Sequence, residues 1–227
     1  FPRWEGGVVF WARERGLANV QQDLAWLGSV SGTGFVAGNA QALMNTENRS
    51  MQATPQLARF GAALSATELA PEVAHHAQRA VIDWFASLYP GLGTPAVAVL
   101  TNTLAEELDH GPSRIVGGRM ATTRAAALLQ GTAAHAAEVD DSFRDAMYHP
   151  GAATIAAALA VSHSMRASGP AFLKAVVAGY EISTRIGVVM GRPHYKYWHN
   201  TGTMGSFGAA AAAACLLKLD EQAFAHA

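Results

Sequence analysis

The chain has 227 residues, half of them hydrophobic and only 15% charged, and its formal net charge is −1. This length allows one or two domains with a buried core. The balanced charge provides no basic surface for nucleic acid or anionic lipid, so we expect neither as a partner. Low charge and abundant alanine favour helices packed on helices. They are also typical of a subunit with a large interface, although a large monomeric core accounts for them equally well.

The cysteine count and two uncharged stretches bear on the compartment and on whether the chain crosses a membrane. Cys215 is the single cysteine, so an internal disulfide is impossible and a reducing cytoplasm is favoured. Residues 24–46 and 197–217 lack Asp, Glu, Lys and Arg, but both stretches contain several polar residues. Because a membrane helix needs ~20 predominantly apolar residues, we expect no membrane span and a soluble cytoplasmic protein.

The pattern of the sequence changes near residue 50. Gly, Ser, Asn and Gln interrupt residues 28–45, and neither a helical nor an alternating period holds there. We therefore interpret residues 1–50 as an extension of uncertain order, with a short partner-binding arm as the alternative. Residues 51–227 are expected to form a helical domain.

Helical patterns follow one another from Thr54 onward. Pro71 suits a first helical turn, and an i, i+4 apolar stripe then runs to a stop at Pro90-Gly91. The stripe consists of Val73, Ala77, Val81, Phe85 and Leu88. Further helices are expected over about 95–108, 121–139, 151–167, 171–190 and 203–218, with a turn or extended piece at 115–118. Residues 219–221 resemble another helix start with little room before residue 227, so we expect later sequence to complete the core and the site.

Small residues recur at helical spacing in two of the predicted helices. One set is four apart and the other three apart: Gly179, Ser183 and Gly187, then Gly202, Gly205 and Gly208. Small residues at these spacings let two helix backbones approach closely, so they predict tight helix packing. No Gly-rich fingerprint follows a predicted strand, so a nucleotide-binding fold is not indicated.

The most informative segment is residues 131–151, which places Asp140 and Asp141 shortly before His149-Pro150 between two apolar helices. Polar groups are costly to bury unless they are paired, so this cluster predicts a functional site. Pro150 restrains His149 toward an extended backbone at a helix start, where free N–H groups favour an anion. An imidazole can carry a proton there because its pKa is near neutral. The alternative is a histidine that only caps or packs the helix.

The two adjacent aspartates must point in different directions. We expect one of Asp140 and Asp141 to cap a helix or orient a partner and the other to belong to the site. The alternative is that both are solvated loop charges.

A second histidine stands before a helix start. His199 precedes residues 200–205, a turn into an apolar helix, which repeats the arrangement at His149. Two such positions suit a substrate with several carboxylates. Lys196, Arg192 and Arg144 are near enough in sequence to supply cations, with ordinary surface charge as the alternative for Arg192 and Lys196.

Other chemistries have weaker support. Two pairs of possible metal ligands have short spacings: His135 and Glu138 are three residues apart, and His194 and His199 are five apart. Neither spacing is diagnostic of a zinc site, so no metal is expected. No Gly-x-Ser-x-Gly elbow is present, and Cys215 lies in an apolar run, so a nucleophilic residue is not indicated. Four histidines have no partner that the sequence identifies and are interpreted as structural: His75, His76, His110 and His163.

Several segments together resemble the MmgE/PrpD family, which includes 2-methylcitrate dehydratase, cis-aconitate decarboxylase and an iminodisuccinate epimerase. They occur in family order and cover roughly residues 55–227. The matching segments are residues 80–85 (AVIDWF), 131–135 (GTAAH), 139–142 (VDDS), 149–151 (HPG), 177–182 (VAGYEI) and 199–205 (HNTGTMG).

The resemblance implies a large all-helical domain plus a smaller α/β domain, a cofactor-free site between them and usually a homodimer. The chain is expected to hold only the first part of the helical domain and to be truncated before the α/β domain. The site residues carried over on matching positions are Asp140, Asp141, Ser142, His149 and His199. Ser142 stands where many relatives have Thr, which keeps a hydroxyl.

These observations predict a lyase-type enzyme, a dehydratase or decarboxylase, or its N-terminal fragment, acting on a small polycarboxylate such as 2-methylcitrate. His149 and His199 would transfer protons, Asp140 or Asp141 would orient one of them, and Ser142 would bind a substrate carboxylate. Two alternatives stay open: a non-catalytic truncated helical association module, and a metal-dependent hydrolase.

Overall fold

Helices dominate residues 53–227, the part of the chain that the computed structural model describes. The expectation for residues 1–50 lies outside this part. Eight α-helices are present among the described residues: α1 (Ala53–Leu64), α2 (Pro71–Gly91), α3 (Pro95–Thr103), α4 (Thr123–Ala136), α5 (Pro150–Met165), α6 (Gly169–Tyr195), α7 (Asn200–Leu216) and α8 (Glu221–His226). A 3₁₀ turn (Ala105–Glu107) and two short strands, β1 (Leu108–Arg114) and β2 (Met120–Ala121), lie between α3 and α4. The predicted all-α class is confirmed.

Prolines and short polar side chains mark where the helices begin. Proline lies at the start of α2, α3 and α5, where the missing N–H has no helical partner in any case. Three other helices begin with a side-chain cap: Thr122 caps α4, Ser168 caps α6 and Asp220 caps α8. In each case the side-chain oxygen accepts a hydrogen bond from the backbone N–H three residues further along the chain. The predicted helix starts at Pro71, Thr94-Pro95, Pro150 and Asp220 are therefore confirmed.

The helix predicted over 95–108 is wrong in its second half. It ends at Thr103, and Leu108–Arg114 pairs antiparallel with Met120–Ala121. Asp109 (φ 66°) and Gly111 (φ 94°) adopt backbone conformations with positive φ, which a right-handed helix does not contain. The turn expected at residues 115–118 is present between the two strands.

Three other helix limits differ from the prediction by three or more residues. Helix α4 stops at Ala136, before the predicted residue 139, because Glu138 adopts a positive φ of 50°. Helix α6 continues past 190 to Tyr195, with a kink at Gly191 (φ 58°, ψ −165°). Helix α7 starts at residue 200 rather than 203, because the His199 side chain caps it.

Helices α5 and α7 lie at the centre of the helices that the structure describes. Both are rich in alanine on every face, so they can be surrounded by other helices. Helix α7 packs against α5 and α6, and α4 packs against α5 and α2. The largest fully buried side chains of this core include Trp84, Leu88, Ile155 and Val176.

The predicted role of the small residues is confirmed at the crossing of α5, α6 and α7. A Cβ atom on Gly179 of α6 would stand 2.6 Å from the carbonyl oxygen of Gly208 in α7 and would overlap the methyl group of Thr154 in α5. A Cβ on Gly187 would stand 2.6 Å from the Cβ of Ala146. Only glycine allows these backbones to come so close.

None of the helices in residues 53–227 combines the length and the apolar character that crossing a membrane requires.

Candidate active site

Three helix ends bring three imidazoles together. His135 lies in the last turn of α4, and His149 and His199 are the residues just before α5 and α7. The centroid of the His135 ring is 4.8 Å from that of His149 and 5.8 Å from that of His199. We call His135, His149 and His199 the histidine cluster.

A buried carboxyl group contacts two of these rings. The side chain of Asp140 is only 1% exposed, and its Oδ2 and Oδ1 atoms lie 3.0 and 3.2 Å from His135 Nδ1. His149 Nδ1 is farther away, 3.4 Å from Asp140 Oδ1. The hydrogen bond to Asp140 raises the pKa of His135, against the opposing effect of burial. The cluster therefore contains one carboxyl that two imidazoles share.

Asp141 points away from the cluster into the protein. Its Oδ1 accepts a hydrogen bond from Gly151 N in the first turn of α5 (3.0 Å), and its Oδ2 accepts one from the Tyr180 hydroxyl of α6 (2.8 Å). Burial raises the pKa of Asp141, and these two hydrogen bonds oppose the rise. Its contacts are those of a residue that joins α5 to α6, whereas Asp140 contacts the histidines.

The surroundings of His149 fix its position at the start of α5. Its backbone N–H donates to Thr201 Oγ1 at 3.1 Å, which connects α5 to the first turn of α7. Its ring Nδ1 lies 3.4 Å from the backbone oxygen of Asp140 and 3.5 Å from Ser142 Oγ, in addition to the Asp140 carboxyl. Ser142 is exposed, so its hydroxyl is open to a ligand on the solvent side.

Two predicted substrate-binding cations lie outside the cluster. Arg144 is exposed in the loop that the Phe143–Tyr148 bridge closes, and Lys196 is exposed with its Nζ 5.5 Å from the Tyr197 ring centroid. Among residues 53–227, no hydrogen bond or ion pair joins either side chain to the histidine cluster. Their role in binding stays a prediction.

Sequence reasoning missed His135 as a member of the site. It considered this residue only as a possible metal ligand with Glu138, three positions away. The positive φ of Glu138 reverses the chain after α4 and returns Asp140 to His135. The signal that could have identified His135 is its position at the end of the segment 131–135, five residues before Asp140.

His194 has a structural role at the junction of α6 and α7. It is buried, and burial lowers its pKa. Its Nε2 lies 3.1 Å from Thr203 Oγ1, and its ring stacks on Trp198. The side chain thus connects the end of α6 to the first turn of α7, the turn that His199 caps.

Three members of the site offer metal-ligand atoms. Nitrogens of His135 and His149 and a carboxylate oxygen of Asp140 all lie within 4.8 Å of one another. Two imidazoles and a carboxylate are ligands that zinc and related divalent metals accept in proteins. These residues could therefore hold a metal ion, although their spacing in sequence did not indicate one.

The family model described as MmgE/PrpD N-terminal domain matches residues 55–227, which include every member of the histidine cluster. The chain belongs to the MmgE/PrpD family. The resemblance recognised in the sequence is thus confirmed. The MmgE/PrpD family includes dehydratases and other lyases. No curated protein matches this chain.

Proposed function

We propose that this MmgE/PrpD protein is a lyase, a dehydratase or decarboxylase, or the N-terminal part of one. Its substrate is a small polycarboxylate such as 2-methylcitrate, and it needs no cofactor. The observation that carries the proposal is the histidine cluster, in which three rings meet where α5 and α7 begin. Helix starts attract anions, so a substrate carboxylate is favoured beside these rings.

The hydrogen bonds support different roles for two of the histidines. His199 Nδ1 accepts the N–H of Gly202 at 3.3 Å, so the neutral ring carries its proton on Nε2 and can donate it. His149 Nδ1 faces oxygens of Asp140 and Ser142, so the neutral ring carries its proton on Nδ1 and leaves a lone pair on Nε2. His149 is therefore the base and His199 the acid.

The reaction then follows from these two protonation states. His149 Nε2 removes the proton alpha to a substrate carboxylate, and the electron pair of that C–H bond forms the new C=C bond. In a dehydration, the hydroxyl leaves as water after it takes the Nε2 proton of His199. In a decarboxylation, the bond that breaks is C–CO₂ instead of C–H: CO₂ leaves, the electron pair of that bond stays on the substrate as a carbanion, and a protonated cluster imidazole donates the proton that this carbanion takes up. General acid and base catalysis by positioned side chains accounts for about 10²–10⁴-fold of a rate.

We propose direct roles for Asp140 and Ser142, and indirect or peripheral roles for the other predicted site residues. Asp140 orients His149 through the 3.4 Å contact, and the hydroxyl of Ser142 binds a substrate carboxylate. Asp141 acts through α5, whose first turn it holds in place. Arg144 and Lys196 supply positive charge at the exposed rim.

The test is His149→Ala in the full protein, with turnover of 2-methylcitrate and cis-aconitate measured against wild type. We expect kcat to fall about 10²–10⁴-fold on the accepted substrate, because the base is lost. His76→Ala, at an exposed position on α2, is the matched control and should turn over normally. Unchanged turnover by His149→Ala would remove this residue from the mechanism. A folded wild type that converts neither compound would favour the non-catalytic association module.

A further inference from the structure

His135, Asp140 and His149 bring three potential metal-ligand atoms within 4.8 Å of one another. His135 Nδ1 lies 3.0 and 3.2 Å from the Asp140 carboxyl oxygens, and His149 Nδ1 lies 3.4 Å from Oδ1. Bond lengths of ~2.0–2.1 Å to zinc place neighbouring ligand atoms about 3.3 Å apart in a tetrahedron. The two contacts to Asp140 therefore have the separation of tetrahedral edges.

The oxygen atoms around His149 Nδ1 lie slightly beyond the best hydrogen-bond distance. Its three oxygen neighbours, the Asp140 carboxyl, the Asp140 backbone carbonyl and Ser142 Oγ, lie at 3.4–3.5 Å. A good N–H···O bond is 2.7–3.2 Å long, so no one of these oxygens is an optimal acceptor. A divalent ion among these atoms would draw them together at bonding distance.

Charge and access favour the same occupant. The Asp140 side chain is almost fully buried, and a buried carboxylate is costly unless it is paired with a positive charge. Both histidine side chains are about a quarter exposed, so an ion can enter from solvent. His135 belongs to a regular helix and His149 precedes Pro150, so two ligands are held by rigid backbone. Three protein ligands also leave one coordination position open.

We propose that His135, Asp140 and His149 bind a divalent transition-metal ion of the zinc class, and that this ion inhibits the enzyme. The site departs from the sequence-based expectation of no metal. Its inhibitory effect rests on the proposed function, in which His149 Nε2 is the base. A metal on Nδ1 uses the lone pair of that nitrogen, so the ring proton moves to Nε2. His149 then has no free lone pair with which to accept the substrate proton.

Binding is tested with the metal alone on the full protein after EDTA treatment and dialysis. We expect calorimetry with Zn²⁺ to give one ion per chain, and Co²⁺ to give the visible absorption of a low-symmetry site. Loss of even a residue that only supports a metal ligand typically weakens a metal site about 10–100-fold. His135→Gln, His149→Gln and Asp140→Asn should therefore each weaken Zn²⁺ binding at least tenfold, and His76→Gln should bind as wild type does.

Three ligand variants are used so that the test still gives an answer if one of them fails to fold. Asp140→Asn changes a buried group, whereas the two histidines are partly exposed, and circular dichroism identifies any variant that fails to fold. Absence of Zn²⁺ binding by wild type would overturn the site. Binding that all folded ligand variants retain at wild-type affinity would also overturn it.

Inhibition is tested by turnover of 2-methylcitrate and cis-aconitate with Zn²⁺ present. We expect Zn²⁺ to abolish wild-type turnover, EDTA to restore it, and His135→Gln to need at least tenfold more Zn²⁺ for half inhibition. Unchanged or increased turnover with Zn²⁺ bound would overturn the inhibitory role. If metal-free wild type converts neither compound, the proposed function fails, while calorimetry still decides the metal site.

Discussion

At the scale of single residues, two adjacent carboxyl groups have separate tasks because the backbone sends them in opposite directions. Asp140 contacts the rings of His135 and His149. Asp141 accepts hydrogen bonds from Gly151 N and the Tyr180 hydroxyl. The chemistry of the site thus depends on Asp140, and the placement of the helix that carries His149 depends on Asp141.

The first prediction concerns the hydrogen bond between Tyr180 and Asp141. Tyr180→Phe removes the hydroxyl that donates to Asp141 Oδ2, so this oxygen of a buried carboxyl loses its hydrogen bond from α6. Hydrogen bonds to charged groups contribute about 1.5–3 kcal/mol, so we expect the free energy of unfolding to fall by that amount at neutral pH. Urea denaturation followed by circular dichroism measures the change.

The matched control for this change is Tyr89→Phe on α2, where the tyrosine is 63% exposed. An exposed substitution of this kind should alter stability by less than about 0.5 kcal/mol. Equal stability of the two variants would mean that the Tyr180 hydroxyl does not support Asp141.

The histidine site was predictable from sequence only in part. Pro150 marks a helix start and so identifies the place of His149, and His199 stands before a similar start. His135 is different because it lies inside a regular helix, where a histidine is ordinarily structural. Its role depends on a chain reversal at Glu138, a residue type that rarely adopts positive φ, so local sequence did not indicate it.

At the scale of elements, close helix crossings hold two of the site-bearing helix ends in place. Helix α7 contacts both α5 and α6. Gly179 and Gly208 let the backbones of α6 and α7 approach beside Thr154 of α5. This crossing lies about one to three helical turns from the starts of α5 and α7. It therefore fixes the positions of those two helix starts and of His149 and His199, which precede them.

The prediction at this scale is that Gly179→Ala destabilises the fold. The added methyl would stand 2.6 Å from Gly208 O, so the helices must separate. Overpacking costs typically 1–3 kcal/mol, which exceeds the roughly 0.8–1 kcal/mol that alanine gains over glycine in a helix interior. We therefore expect a net loss of up to about 2 kcal/mol in the free energy of unfolding, measured in urea.

Gly169→Ala is the control for the same chemical change in α6. An added Cβ there would have no neighbour within 4 Å. Removing backbone freedom from the unfolded chain should stabilise it by about 0.4–1 kcal/mol or leave it unchanged. If Gly179→Ala were as stable as Gly169→Ala, the close crossing would not constrain the helices.

At the scale of the whole molecule, one aromatic side chain joins the outer helix α2 to the central helix α5. Trp84 is 1% exposed, and its Nε1 donates to Ala152 O in the first turn of α5 at 3.5 Å. This contact lies three residues from His149. The buried core of the domain therefore extends to the helix start that positions His149.

We predict that Trp84→Ala lowers the free energy of unfolding by about 3–5 kcal/mol, the usual range for loss of a buried large aromatic. Ile82 on the same helix is 68% exposed, and Ile82→Ala should change stability by less than about 0.5 kcal/mol. Denaturant midpoints and slopes of the two variants give both values. A loss below 1 kcal/mol for Trp84→Ala would contradict a central role for this side chain.

The sequence by itself determined the helical class, the family and most helix starts. Prolines, capping residues and apolar periods are local properties, and local hydrogen bonds and sterics act on them directly. The same holds for His149, since Pro150 follows it. The homodimer and the small polycarboxylate substrate stay predictions.

Only the tertiary structure decided which polar residues meet. The sequence grouped His149 with both Asp140 and Asp141 and left His135 out, whereas the fold places His135 and Asp140 beside His149 and turns Asp141 toward Tyr180. It also turned residues 108–114 into a strand, because their pairing partners lie at 120–121. Contacts of this kind depend on how far the backbone turns between elements and how closely helices approach, and no spacing along the chain encodes those two quantities.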